Sequence, residues 1–137
     1  MRKPQLESGL IYHVFNRGVS KQKIFLEDND YRFFIYKIGL LKKKYCVKTV
    51  VYCLMPNHYH FALYTKDKPE KISKYMKALQ LSFAHHFNKK YKHSGHVFQG
   101  RFHNKHVNNL EKIIEYIKQN PVKHGFVKKA ENWPYQG

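Results

Sequence analysis

The sequence predicts an α+β fold, in which one antiparallel sheet carries helices on one face. Short runs of β-branched and aromatic residues, bounded by turn residues, indicate four strands at residues 10–16, 45–54, 59–65 and 96–107. Apolar residues recur at helical spacing after the acidic stretch 27–30 and again from 70 to 90. The resulting order, β-α-β-β-α-β, is that of the ferredoxin-like split βαβ unit, and a length of 137 residues suits a single domain, residues 1–137.

A last helix follows the fourth strand. Asn108 or Asn109 can cap it, and the Asn120–Pro121 step ends it, because a residue before proline tends to leave helical geometry. Its apolar stripe consists of Leu110, Ile113, Ile114 and Ile117. We expect the short tail after this helix to fold back onto the domain through Trp133.

The charge of the chain favours a polyanionic partner. Lys and Arg number 26 against 9 Asp and Glu, a net charge of +17, while 42% of the residues are hydrophobic and 16% aromatic. Such a basic and aromatic-rich domain favours nucleic acid over an anionic membrane surface, which would require a basic amphipathic helix or a lipidation signal. The N-terminal stretch lacks the apolar run of a signal peptide, and no run of about 18 apolar residues is present to span a bilayer. We therefore expect a cytoplasmic, nucleoid-associated protein without a membrane partner.

Two histidines, His58 and His60, form a candidate metal site. They lie at the start of the third strand, after the bend at Pro56, and residues i and i+2 of a strand share one face about 6.6 Å apart. Two imidazoles side by side on a rigid strand can hold one metal ion, although their spacing fits ordinary core or surface histidines equally well. His13, on the first strand, fits either a third ligand or a structural hydrogen-bonding residue.

Tyr116 is the candidate nucleophile. On a helical wheel it lies about 110° from the centre of the apolar stripe, so it is not placed like a core tyrosine. Asn120 follows four residues later, so both side chains point to one side of the helix. A hydroxyl nucleophile, a divalent metal and a basic groove together form a phosphoryl-transfer site. The chain has eleven tyrosines, however, and a structural role for Tyr116 fits these observations too.

Four basic residues are candidates for contacts with nucleic acid. Arg101, His103 and Lys105 share one face of the predicted fourth strand, where basic and aromatic residues alternate in a manner suited to phosphates and stacked bases. Arg17, in the Asn-Arg-Gly turn that ends the first strand, fits a phosphate contact. Gly100 suggests a bulge or a close approach of the backbone by a ligand. A solvated strand face would account for these basic residues as well.

Several motifs together resemble those of one enzyme superfamily. The sequence PNHYHF holds a His-hydrophobic-His motif like that of the HUH endonucleases, and the predicted element order fits their fold. GHVFQGRF followed by EYIKQNPVKHGFV resembles the single-tyrosine transposases, specifically the REP-associated group beside the IS200-type transposases. The Asn-Arg-Gly turn and the closing Trp-Pro are similar to that group too, so the resemblance covers roughly residues 10 to 135.

The resemblance implies a function and a set of site residues. It implies that His58, His60 and Asn120 bind a divalent metal, Mg²⁺ with Mn²⁺ as a substitute, and that Tyr116 is the nucleophile. The substrate would be single-stranded DNA, often beside an imperfect hairpin, cleaved and transferred through a covalent 5′-phosphotyrosine. Resemblance to the IS200-type enzymes implies a homodimer that exchanges its tyrosine helices, whereas resemblance to the REP-associated group implies a monomer.

Other functions fit part of these observations. A non-catalytic module that binds single-stranded nucleic acid, as an RRM does, would explain the charge but leaves His58, His60 and Asn120 without a task. The sequence also lacks an RNP1-like run. A domesticated transposase would bind DNA without cutting it. A structural zinc protein is disfavoured, because the two histidines have no cysteines nearby.

Overall fold

The computed structural model describes residues 6–137, and it contains the predicted ferredoxin-like sheet. The elements in chain order are β1 (Ile11–Arg17), α1 (Asp28–Tyr45), β2 (Lys48–Met55), β3 (His58–Tyr64), α2 (Glu70–Tyr91), β4 (His103–His106), α3 (Leu110–Lys118) and α4 (Asn120–Lys123). The strands are antiparallel in the order β2-β3-β1-β4, which confirms the fold class. Among the helices of residues 6–137, none is long and apolar enough to cross a membrane.

The register of the sheet gathers the histidines on one face. β1 lies between β3 and β4, so that Phe15 is opposite His60 on one side and His103 on the other. Opposed residues of neighbouring strands share a face, as do residues two apart in one strand, so His13 and His58 belong to this face as well. The opposite face is apolar and buried, and its central residues are Tyr12, Val14, Tyr59 and Phe61.

Helices α1 and α2 cover the apolar face and complete the core. The buried stripe of α2 consists of Ile72, Tyr75, Met76, Leu79, Phe83 and Phe87. The rings of Phe34 on α1 and Phe83 on α2 meet edge to face, with centroids 5.4 Å apart. Asp30, fully buried in the first turn of α1, accepts hydrogen bonds from Lys90 Nζ at 3.0 Å and His86 Nε2 at 2.9 Å. These two bonds tie α1 to α2.

The C-terminal tail lies against β2, as expected from Trp133. This residue is 8% exposed, and its Nε1–H donates to the carbonyl of Leu54 at 2.9 Å. The backbone N–H of Leu54 donates to the carbonyl of Tyr135, and the N–H of Tyr52 donates to that of Gly137. The tail therefore pairs with the outer edge of β2 and covers backbone groups that would otherwise be free.

The fourth strand is shorter than predicted. β4 has four residues, and the segment 97–102 before it is an irregular loop. Gly100 has a φ of +71°, a left-handed value that glycine adopts at little cost, and this conformation interrupts the strand. The side-chain amide of Asn16 donates to the Gly100 carbonyl at 3.0 Å and so stabilises the departure from the sheet. The predicted strand over 96–107 is thus confirmed only at its C-terminal end.

Candidate active site

β3 presents His58 and His60 side by side on the sheet face that α1 and α2 leave free. Their rings are nearly perpendicular, at 88°, with centroids 5.1 Å apart. His60 is 8% exposed and His58 is half-buried. The bend before them is fixed by the backbone, because the N–H of Gly18 donates to the carbonyl of Asn57 at 2.9 Å. The pair is therefore held on a rigid part of the fold.

Asn120 reaches His58 from a break between two helices. The last predicted helix ends at Lys118, slightly earlier than expected, and α4 begins at Asn120 with Pro121 in its first turn. Proline lacks the N–H that would continue the helical ladder, which explains the break. Asn120 is 2% exposed, and its Oδ1 lies 3.0 Å from Nε2 of His58. The structure thus brings together the three side chains that were predicted to bind metal.

One tautomer of His58 leaves a lone pair directed at Asn120. Nδ1 of His58 lies 2.7 Å from Oδ1 of Asn57, and in the tautomer that donates this shorter bond the neutral ring carries its proton on Nδ1. With the Asn120 amide oriented as in the structure, Nε2 and Oδ1 are then two acceptors facing each other at 3.0 Å. Neighbouring ligands at about 2.1 Å from an octahedral ion lie about 3.0 Å apart, so this spacing fits two ligands of one cation.

His13 orients His60. Nε2 of His13 lies 2.9 Å from Nδ1 of His60, and both side chains are buried. When His60 donates its Nδ1 proton to His13, its Nε2 lone pair is left for a ligand. Of the two roles that the sequence allowed for His13, the structure shows the hydrogen-bonding one. Within residues 6–137 no group of three His, Cys, Asp or Glu side chains could hold a metal ion, so a site here depends on the Asn120 amide oxygen as well.

Burial favours the neutral form of these imidazoles. Desolvation lowers the pKa of His60 to about 3, and the neighbouring charge of His58 is the next largest cause. Burial, followed by the charge of Lys105, lowers the pKa of His13 to about 4. Burial also lowers the pKa of His58. Because a metal ion binds the neutral imidazole, the site is ready for an ion at neutral pH without loss of a proton.

Tyr116 lies over the buried histidines. Its ring meets those of His60 and His13 edge on, with centroids 5.7 Å and 5.9 Å away. Tyr116 is 44% exposed, whereas its neighbour Ile117 is fully buried, so the prediction that Tyr116 is not a core tyrosine is confirmed. Lys123 of α4 places its Nζ 5.8 Å from the centre of the tyrosine ring. Tyr116 is therefore accessible to solvent and also packs against His60 and His13.

Two predicted DNA-contacting residues line the cleft that contains Tyr116, and a third lies beside it. Arg17 and His103 belong to the walls of this cleft, which has a volume of about 860 Å³. The His103 ring stacks on Phe15 with centroids 5.4 Å apart. Lys105 lies beside them, with Nζ 5.7 Å from the centre of the Phe15 ring. Their common position follows from the pairing of β1 with β4.

Arg101 lies apart from these residues. Its guanidinium donates to Ser73 Oγ on α2 at 3.4 Å and lies over the Phe102 ring at 5.3 Å. The prediction that Arg101 shares a strand face with His103 and Lys105 is wrong, because Arg101 belongs to the irregular loop before β4.

The cleft also holds basic residues that the sequence did not single out, namely Lys21, Lys23, Lys123 and His124. Lys123 and His124 lie three and four residues after Asn120, so their nearness to a predicted ligand was a usable signal. The His124 ring lies 5.5 Å from that of His58. A 3₁₀ turn at Val19–Lys21 carries the chain past the cleft after β1, and no periodicity in the sequence marks that turn.

Comparison with known proteins identifies the family of this fold and site. The family model described as "Transposase IS200 like" matches residues 7–120. A protein of Haemophilus influenzae assigned as a REP-associated tyrosine transposase is 31% identical over 104 aligned residues, and the match covers 66% of this chain and 58% of that protein. The chain belongs to the IS200-like transposase family. It spans 58% of the length of the curated relative.

Two solved structures share the fold. A REP-associated tyrosine transposase bound to a REP hairpin superposes with a TM-score of 0.83 at 19% identity, covering 99% of this chain and 81% of that one. A protein of Deinococcus radiodurans R1 assigned as a transposase gives a TM-score of 0.58 at 19% identity, covering 87% of this chain and 97% of that one. At this level of identity the likeness concerns the fold.

Proposed function

We propose that the protein is a metal-dependent single-stranded DNA endonuclease and strand transferase that acts through a covalent 5′-phosphotyrosine at sites flanking a hairpin. One observation carries the proposal: the half-exposed Tyr116 lies over His60, in the cleft where His58 meets Asn120. A hydroxyl nucleophile beside neutral nitrogen ligands in a basic cleft suits attack on a phosphodiester. Membership of the transposase family supports it. The hairpin is proposed by analogy with the structural relative that was solved with a REP hairpin.

In this reaction Tyr116 exchanges one phosphoester bond for another. Its phenolic oxygen bonds to phosphorus, the bond from phosphorus to the 3′ oxygen breaks, and the 3′ oxygen gains a proton while the phenol loses one. The 5′ phosphate remains on Tyr116, so no external energy source is needed. Attack on the phosphotyrosine by the 3′-OH of another strand reverses these changes, joins the strands and frees the tyrosine.

His58, His60 and Asn120 are the residues that would hold the divalent ion. When bound, such an ion polarises the scissile phosphate and neutralises developing negative charge. The 3.0 Å approach of His58 Nε2 to Oδ1 of Asn120 supports this assignment. Two imidazoles are a softer set than Mg²⁺ usually has, so we expect Mn²⁺ to bind more tightly than Mg²⁺ in vitro.

The rim of the cleft supplies contacts for the DNA strand. Arg17, Lys21 and Lys123 bring positive charge to it, which suits phosphates on either side of the scissile bond. Phe126, at 51% exposure, and His103 offer rings on which unpaired bases can stack. Exposed rings beside positive charge favour a single strand over a duplex, whose bases are already stacked on each other.

The tyrosine acts on the metal site of its own chain in this proposal. α3 packs onto the sheet of the same chain through the buried Ile117, and this packing places Tyr116 over its own His60. A second copy is not needed to complete the site. The arrangement therefore favours a monomer over a homodimer with exchanged tyrosine helices.

A covalent-adduct assay tests the proposed function. The wild type and Tyr116→Phe are incubated with single-stranded DNA from the flanks of the protein's own gene, with Mn²⁺ or with EDTA. We expect a denaturation-resistant protein–DNA band that requires Mn²⁺ and is lost in the variant, while DNA binding persists. Tyr64→Phe, on the same sheet but outside the cleft, serves as the matched control and should retain the band.

The same assay separates the proposal from its rivals. Tight binding of single-stranded DNA without an adduct would support a non-catalytic binding module or a domesticated transposase. A full adduct with Tyr116→Phe would remove Tyr116 from the nucleophile's role. Mixing Tyr116→Phe with His58→Ala tests the cis arrangement, because two defective chains should recover activity only if tyrosine helices are exchanged.

A further inference from the structure

A second groove lies on the other side of the 97–102 loop from the catalytic cleft. One wall is the outward face of α2, and the other is the loop that precedes β4. We call it the α2 groove and define it by Lys74, Lys77, Leu81 and His85 on the helix and by Gly100 and Arg101 on the loop. Its volume, about 890 Å³, is similar to that of the cleft. The four helix residues are spaced three to four apart and therefore lie on one face.

The chemistry of the α2 groove suits a nucleic-acid strand. Lys74, Lys77 and Arg101 put positive charge on both walls, and none of the described residues that line the groove is an aspartate or a glutamate. Leu81, in the middle of the helix wall, is 66% exposed. Cations along the edges of a groove with an exposed apolar centre match the phosphates and the base faces of an unpaired strand. A duplex would present phosphates to the rims but no base face to Leu81.

The wall between the groove and the cleft is held by a small polar cluster. The side-chain amide of Asn16 donates to Gln80 Oε1 on α2 at 2.8 Å and to the Gly100 carbonyl at 3.0 Å. On the cleft side of the same loop, Arg17 Nε donates to Gln99 Oε1 at 2.6 Å. The loop therefore exposes Gln99 to the cleft and Gly100 to the groove. A strand that leaves the cleft over this loop reaches the groove directly.

We infer that the α2 groove binds an unpaired segment of the DNA substrate, continuous with the strand held in the catalytic cleft. The inference deepens the proposed function and rests on it. Arg101 would then still contact DNA, as the sequence suggested, but in the α2 groove and not beside His103. The cleft and the groove together would hold a longer strand than the cleft alone.

The test measures DNA binding in EDTA, so that cleavage does not enter. Lys77→Gln/Arg101→Gln removes one cation from each wall, and Lys42→Gln/Lys43→Gln removes two exposed lysines from the end of α1 as a matched charge control. Fluorescence anisotropy compares a strand of about 30 nucleotides, which can occupy cleft and groove together, with one of about 8, which can bind in the cleft without reaching the groove. Two lost contacts should lower the salt slope for the long strand by about 1.4 and its affinity up to about 25-fold at 0.1 M salt. The short strand should bind both variants as it binds the wild type.

Three other outcomes would contradict the proposed binding of unpaired DNA in the α2 groove. If the groove variant binds the long strand like the wild type, or no worse than the α1 control does, the groove does not hold DNA. If the loss is seen for the long strand annealed to its complement and not for the unpaired strand, the groove binds duplex instead. If the wild type binds neither strand, the proposed function fails first, and the groove inference fails with it. Circular dichroism of both variants confirms that the fold is kept.

Discussion

Replacing His13 should weaken metal binding without removing a ligand. Nε2 of His13 and Nδ1 of His60 lie 2.9 Å apart, and when His60 donates this hydrogen bond its Nε2 is free for a metal ion. His13→Leu fills a similar volume but offers no acceptor. The buried Nδ1–H of His60 then has no partner, at a cost of about 1–3 kcal/mol. The ring can escape this cost by moving its proton to Nε2, which is the nitrogen that the ion needs.

The expected loss of metal affinity follows from the competition between the two tautomers of His60. Loss of an outer-shell partner of a metal-binding histidine typically lowers metal affinity about 10–100-fold, or about 1.4–2.7 kcal/mol. Titration of Mn²⁺ without DNA, followed by the EPR signal of the free ion, measures this directly. His58→Ala serves as the reference for a lost ligand and should bind more weakly still. His13→Gln restores an acceptor and should recover most of the affinity.

Two results would refute this reasoning about His13. A dissociation constant for His13→Leu within about twofold of the wild type would mean that the hydrogen bond does not orient His60 for metal. Equal weakening by His13→Leu, His13→Gln and His58→Ala would instead make His13 a ligand itself. His85→Ala, an exposed histidine outside the cleft, controls for non-specific Mn²⁺ binding.

Three further predictions use other parts of the structure. Burial lowers the pKa of both predicted imidazole ligands, that of His60 to about 3. Between pH 7.5 and 5, Mn²⁺ affinity should therefore fall by less than the roughly 30-fold that one ligand with a pKa of 6.5 would cause. EPR titration at each pH checks this. His58→Ala should abolish metal-dependent adduct formation, and unchanged cutting would make the histidine pair structural. Burial alone would raise the pKa of Asp30, but hydrogen bonds from α2 lower it to about 2. This shift contributes about 2.5 kcal/mol to the free energy of unfolding. The contribution is complete above the unfolded pKa of 3.8 and is lost as the pH falls to about 2. Urea denaturation at pH 7 should therefore show Asp30→Asn destabilised by roughly that amount and the exposed Asp28→Asn by less than about 1 kcal/mol.

The sequence predicted the fold well because the helical and the strand periodicity of apolar residues are both strong in this chain. Strand alternation puts Tyr59 and Phe61 on the face opposite His58 and His60, and in the structure both aromatic residues are fully buried. The i, i+4 relation of Tyr116 and Asn120 also survives, although the two residues belong to different helices. Gln119 between them keeps helical dihedral angles, φ −82° and ψ −5°, so the rotation along the chain continues through the break.

The parts of the site that the sequence missed depend on pairing between distant strands. The bond between His13 and His60 joins residues 47 positions apart, and it exists because β1 and β3 pair in a register that no local pattern states. The short β4 has a local cause instead. Basic and aromatic residues alternate through 96–107 as in a strand, but the positive φ of Gly100 interrupts it, and the first half keeps only an isolated bridge between Phe98 and Gly18.

Asn16 shows how a correct local signal can have a different physical cause. Its place before Arg17 and a glycine indicated the turn that ends the predicted strand 10–16, but β1 continues through Arg17 and Asn16 is 3% exposed. Its Oδ1 accepts the N–H of Arg17 at 2.9 Å, while its amide donates to Gln80 and to the Gly100 carbonyl. One buried amide thus joins the central strand, α2 and the loop that divides the cleft from the α2 groove. A buried donor left without partners costs about 1–3 kcal/mol, so the loop is held in the one conformation that satisfies both donors of this amide.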